Sequence, residues 1–158
     1  MSALSERRQL EPFIVSLASY PPRINEAYRC IESLLAQTAL PERILLWLSK
    51  EEFPGGMDDL PSTLRNMTNS MFHIEWVDVN LKPHNKYYWA MQLFPDAIIV
   101  TVDDDVLYAP TMLEELLRCH QLFPEAVIGN RTHVMVVNEE GKLRPYDTWI
   151  KEQEIMLE

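Results

Sequence analysis

Glycine is scarce in this 158-residue chain, with four in all. No G-x-G-x-x-G, Walker-type loop or G-x-S-x-G occurs, which excludes glycine cradles for phosphate and the nucleophile elbow of serine hydrolases. Cysteine is scarcer still. Cys30 and Cys119 each fall in a predicted helix without metal-ligand spacing, so no disulfide framework is indicated, and buried or half-buried free thiols in a reducing compartment are expected. His73, His84, His120 and His133 share no ligand spacing either. Basic residues are outnumbered, 14 against 24 acidic, for a net charge of −10. No clustered basic face for phosphate neutralisation is visible in the sequence, and a nucleic-acid surface is not expected. No apolar run reaches the length of a membrane span, and residues 1–9 lack the apolar core of a signal peptide. A cytoplasmic protein is expected. The length suits one domain able to bury a real core.

What is present alternates between two periodicities. Residues 13–18 (FIVSLA) predict a strand, and Pro21-Pro22 then stiffen a turn, because proline fixes φ and has no N–H for a ladder. Ile24, Ala27, Tyr28, Ile31, Leu34 and Leu35 follow the spacing of a helix packed on a sheet, expected to end near Gln37-Thr38. Residues 44–48 (ILLWL) predict a second strand. Pro54-Gly55-Gly56 marks a loop, with a short helix over 62–69. Residues 73–77 alternate, as in a strand nearer an edge, and 87–94 predict a short helix ended by Pro95. Residues 97–102 are nearly unbroken apolar and β-branched, the pattern of a central strand covered on both faces. Leu113, Leu116, Leu117 and His120 mark a helix opened by Pro110, with His120 a packed residue. Residues 127–130 and 133–138 read as further strands, the latter running into a hairpin turn at Glu139-Glu140-Gly141-Lys142. Trp47, Trp76 and Trp89 read as core, and Trp149 as either core or sugar platform. The expected fold is α/β: a Rossmann-like, mostly parallel sheet flanked by helices, with a C-terminal β-hairpin. A polar leader (1–11), one domain (12–150) and an acidic tail (151–158) complete the organisation.

Asp103, Asp104 and Asp105 follow the 97–102 strand at once, where a doubly wound domain places its ligand chemistry. Two carboxylates about 6 Å apart repel by roughly 3 kcal/mol at an effective dielectric near 20, so three in a row need relief. One of them could cap the helix near Pro110 while the others sit in water. Alternatively, the three hold a hard divalent cation through oxygen ligands. The second is the sharper expectation. One element upstream, Lys82-Pro83-His84-Asn85-Lys86 places two lysines and a histidine in five residues. In an acidic protein that patch suits a diphosphate, with Lys86 preferred and His84 second; an exposed basic loop is the plainer reading.

Together these stretches resemble a known family. The first strand, Ser19-Tyr20-Pro21-Pro22-Arg23, the ESLLAQT helix (Glu32 to Thr38) and IIVTVDDDV (Ile98 to Val106) are similar to bacterial family 2-like glycosyltransferases of the GT-A fold. The likeness lies with a polysaccharide-synthesis branch and covers residues 12–149. It implies transfer of a sugar from a nucleotide-sugar, a UDP-sugar in the first reading, to a glycan or polysaccharide acceptor. It also implies Mn²⁺ or Mg²⁺ on the DxD carboxylates, bridging the donor phosphates and stabilising the leaving nucleoside diphosphate. By resemblance Asp105 is the principal metal ligand, Asp103 orients ribose or a metal-bound water, and Asp104 is a third member of the cluster. Ser19, Tyr20 and Arg23 contact base and ribose, and Lys86 faces the donor.

The chain departs from the family in two places. Ser49-Lys50-Glu51-Glu52 stands where an acidic base-reading residue is usual, with Glu51 a weak substitute. The acceptor half, with its general base, would lie beyond the DxD, so the chain is expected to be a fragment, a truncated product or one part of a split enzyme with a partner chain. No catalytic base is assigned; Asp147 and Glu140 are the late carboxylates, each read as a surface residue. The alternative function is a nucleotide-sugar-binding module without turnover. A third reading, Mg²⁺ binding for signalling or phosphotransfer, is disfavoured because such domains place an acidic pair after the first strand.

Overall fold

A computed structural model of the chain describes residues 11–151, so the polar leader and the acidic tail lie almost wholly outside the described residues. Four parallel strands form the main sheet: β1 (Phe13–Ala18), β2 (Arg43–Ser49), β3 (Phe72–Val77) and β4 (Ile98–Thr101), in the order β3-β2-β1-β4. The chain winds outward from β1 to β2 and β3, then returns to place β4 on the other side of β1. Ile14 stands beside both Arg43 and Ile99, and Leu17 beside Leu46. The order reverses between β1 and β4, which opens a crevice at their carboxyl ends.

Alternation along each strand sends side chains to two cores. Val15, Leu17, Ile44, Leu46, Leu48 and Phe72 face one way. They meet α1 (Ala27–Leu35), α2 (Ser62–Met67) and the first turns of α4 (Met112–Leu122) through Ile31, Leu34, Leu64, Leu113 and Leu117. Ile14, Leu45 and Trp47 face the other way, against Ala90 and Trp89 of α3 (Asn85–Leu93). Helices therefore cover both faces. The expected α/β class with a parallel sheet flanked by helices is what the molecule has.

Several expectations shift. The strand after Asp96 is not central: β4 lies at the sheet edge, pairs with β1 alone among the described residues, and its apolar side chains are only half-buried. An apolar β-branched run reports contact with both cores, which Ile98 and Ile99 make, but not a neighbour on both edges. β3 is the opposite edge, in line with its alternation. α1 begins at Ala27 because residues 21–26 form successive turns after the two prolines. α3 begins at Asn85, on a 3-10 turn over Lys82–His84.

The described chain forms two compact units, divided after Leu117. In the second, residues 127–130 form no strand. The strand expected over 133–138 is reduced to β5 (His133–Val134), paired antiparallel with β6 (Ile150–Lys151). A single bridge, Val137 to Leu143, closes the turn in which Asn138 accepts N–H groups from Glu140 and Lys142. Gly141 there has φ +77°. Cys119 is exposed, against expectation. No helix among the described residues is long and apolar enough to cross a membrane.

Candidate functional site

A cleft of about 480 Å³ opens at the carboxyl ends of β1 and β4, in the crevice that the strand order creates. Ser19, Tyr20 and Arg23 line it from the loop after β1, Asp103 and Asp104 from the turn after β4, Lys82 from the 3-10 turn before α3, and Asn85 and Lys86 from the first turn of α3. Three stretches far apart in sequence meet here because each follows, or leads into, a strand of one sheet.

The acidic turn is held from several sides. Asp104 is 6 % exposed. It accepts hydrogen bonds from Ser19 Oγ at 2.6 Å and from Arg23 Nη1 at 3.0 Å. The same guanidinium nitrogen lies 2.9 Å from Asp105 Oδ2, while Lys86 Nζ donates to Asp103 Oδ1 at 2.6 Å. The hydrogen bond from Arg23 to Asp104, then the charge of Asp105, raise the guanidinium pKa above its ordinary value. Backbone contacts complete the clamp: Asp103 N–H donates to Tyr108 Oη at 2.8 Å, and the Cys30 thiol donates to the Asp103 carbonyl at 3.3 Å. Burial first, then the three aspartates, push the Cys30 thiol up to about 12, so it remains protonated. Burial likewise raises Tyr108.

Lys86 owes its position to the sheet. Trp47 Nε1 donates to Ser16 Oγ at 2.8 Å, and Ser16 Oγ in turn donates to the Lys86 carbonyl. Ser16 is fully buried, so this polar chain across β2, β1 and α3 is satisfied internally. The preceding loop is tied by amides: Asn80 Oδ1 accepts from Lys82 N–H and Asn85 Nδ2, and Asn85 Oδ1 accepts from Leu81 N–H and Trp89 Nε1. Lys82 has φ +57°, an uncommon left-handed conformation for a residue other than glycine. Its Nζ reaches Glu52 Oε1 at 3.3 Å.

The sequence candidates therefore separate. Ser19, Tyr20, Arg23, Lys86, Asp103 and Asp104 come together around the cleft. Asp105 reaches it only through Arg23, is half exposed, and does not line the cavity. His84 is outside the lining, its Nδ1 2.8 Å from Tyr87 Oη. Glu51 is outside too; Glu52 lines the wall instead, and sequence reasoning missed it together with Asn80 and Asn85. Two asparagines flanking Lys82-Pro83 were the available signal, because Asn organises loop backbone through its side chain. Glu140 pairs with Lys142, and Asp147 is exposed, as surface residues.

Neither simple account of the acidic trio describes this geometry. At α4 the Leu113 N–H is met by Gln37 Oε1 at 3.0 Å rather than by an aspartate, and Asp104 is buried rather than solvated. A hard cation requires several oxygen donors converging at about 2.0–2.6 Å. Among the described residues no three acidic, imidazole or thiol side chains are grouped to hold a metal ion. As arranged, the trio does not fit Mn²⁺ or Mg²⁺; its charge is met by Arg23 and Lys86. No protein-family model matches the chain, and no curated protein matches it in sequence.

Proposed function

We propose that the chain is the donor-binding portion of a glycosyltransferase of the GT-A fold, acting on a nucleotide-sugar, in the first instance a UDP-sugar, with a glycan as acceptor. The observation that carries the reading is the gathering of Arg23, Lys82 and Lys86 around a cleft at the switch point of a parallel sheet, in a protein of net charge −10. The first turn of α3 lines the same cleft, and a helix N-terminus favours anions.

In this reading Lys86 and Arg23 take the diphosphate and stabilise the charge that grows on it as the glycosidic bond breaks. Tyr20, 5.7 Å from the Arg23 guanidinium, supplies a ring face beside the base or ribose. Mn²⁺ or Mg²⁺ belongs to the family resemblance, but the carboxylates as arranged do not fit it. A cytoplasmic location and a C-terminal hairpin are parts of the same proposal.

One observation favours a second reading, a nucleotide-sugar-binding module without turnover. Among the described residues, Glu52 is the carboxylate lining the cleft besides Asp103 and Asp104, and its pairing with Lys82 leaves no free base there. Calorimetric titration with UDP tests the shared claim: saturable binding, weakened roughly tenfold by Lys86→Met, is expected for loss of a charge-assisted contact. No binding of UDP under any condition would refute both readings. Release of UDP from a UDP-sugar by the purified chain separates the transferase from the module.

A further inference from the structure

Backbone strain and an unmet donor gather in one wall of the cleft. Among the described residues Lys82 alone, glycines aside, has a positive φ, at +57°. Pro83 follows it, and a proline ring drives the residue before it toward extended backbone, so the conformation is disfavoured twice. Asn80 Oδ1 accepts from Lys82 N–H and from Asn85 Nδ2. Asn85 Oδ1 is taken by Leu81 N–H and Trp89 Nε1, which fixes the orientation of both amides. Turning Asn80 over would set its Nδ2 against two donors. As it stands, that Nδ2 is buried without a partner, an unusual state for a buried polar group. Asn80, Lys82 and Pro83 all line the cleft. Strain of this kind persists only where the surroundings impose it. Here the hold from outside the loop is the ion pair of Lys82 Nζ with Glu52 Oε1, which reaches across from the turn after β2.

We infer that residues 80–84 are a latched wall: the Glu52–Lys82 pair holds the strained arrangement, and an anion in the cleft that takes Lys82 Nζ releases it. Once released, Lys82 returns to negative φ, its N–H leaves Asn80, and the Asn80 amide is free to turn toward a partner. The inference rests on the diphosphate-binding reading above and adds a conformational response at that same site. Lys82 is 68 % exposed, and an ion pair so open to water holds weakly. Phosphate oxygens offer the ammonium a stronger charge-assisted partner. The released wall thus has a contact with the anion that the latched wall lacks, and such a difference is what lets a ligand shift a population. Glu52 is then a positioning residue, and removing it does to the wall what the anion does.

Nitrogen–proton correlation spectra of the full chain test this without turnover. The Leu81 amide reports the loop directly, and the Trp89 indole reports it through Asn85, which accepts from both. Saturating inorganic pyrophosphate should displace both signals in the native chain. Glu52→Ala and Lys82→Met, which break the latch from opposite sides, should move them in the same direction with no anion present. Exchange of the Leu81 and Lys82 amides in Glu52→Ala should be at least tenfold faster than in the native chain. Both variants keeping the native signals and exchange rates would overturn the inference, as would saturable pyrophosphate binding that leaves the two signals in place. Failure of pyrophosphate to bind at all would remove the diphosphate reading and with it the trigger, while the two variants still decide whether the wall is latched.

Discussion

The two compact units contrast in how they use apolar residues. Among the described residues up to Leu117, 25 hydrophobic residues are buried, and all but Ala27 belong to the two cores on the faces of one sheet. From Arg118 to Ile150 no residue is buried, and Leu122, Val127, Met135, Leu143 and Ile150 are each more than half exposed. Apolar content alone does not make a core. Strands of four to seven residues in one sheet present repeated faces to helices, whereas strands of two residues present almost none.

The contrast can be broken by mutation. Leu46→Ala, at a fully buried position in β2, should cost about 2–5 kcal/mol by urea unfolding. Ile150→Ala, 54 % exposed, should stay within about 0.5 kcal/mol. Equal costs would mean that the second unit contributes to the cooperative core. In hydrogen exchange, β1 and β2 amides should open only with global unfolding, while β5 and β6 amides exchange orders of magnitude faster.

The same contrast holds within the acidic turn, at smaller scale. Asp104 is buried and bound by Ser19 and Arg23, whereas Asp105 is half exposed. Asp104→Asn should destabilise the fold by about 1–3 kcal/mol, and Asp105→Asn by no more than about 1 kcal/mol. Thermal unfolding of the pair measures the difference.

The two thiols give the smallest effect at neutral pH. Iodoacetamide at pH 8 should label Cys119 and spare Cys30 until the chain is unfolded, since Cys30 is buried and protonated. Folding raises this thiol from its ordinary 9.0 to about 12. Its contribution to stability is therefore complete below about pH 9 and lost as pH rises toward 12. Cys30→Ala should remove that part of the alkaline slope.

Much of the architecture was legible because periodicity is local. Apolar runs over residues 13–18 and 44–48 and the helical stripe from Ile24 to Leu35 declared strand, strand and helix. Failures fell where an element depends on a neighbour. The edge position of β4 follows from which strand lies beside it, and the strand expected over 127–130 has no neighbouring strand among the described residues. At the site, Lys86 and the aspartates were marked by their charge, and Ser19 and Arg23 by the family resemblance, but their pairing was not. Glu52 was passed over for Glu51, because adjacent residues differ only in which way the loop turns them.

Residue order alone settled the α/β class, the covering of the sheet from both sides and the placement of carboxylates just past a strand end, since all three follow from side-chain spacing along a few residues. Tertiary structure alone decided that Asp104 is buried, that Arg23 and Lys86 neutralise the turn, and that Ser16 and Trp47 hold Lys86 in place. Those pairings join residues from 17 to 85 positions apart, and a distance of a few ångströms between such groups exists only once the sheet has brought them together.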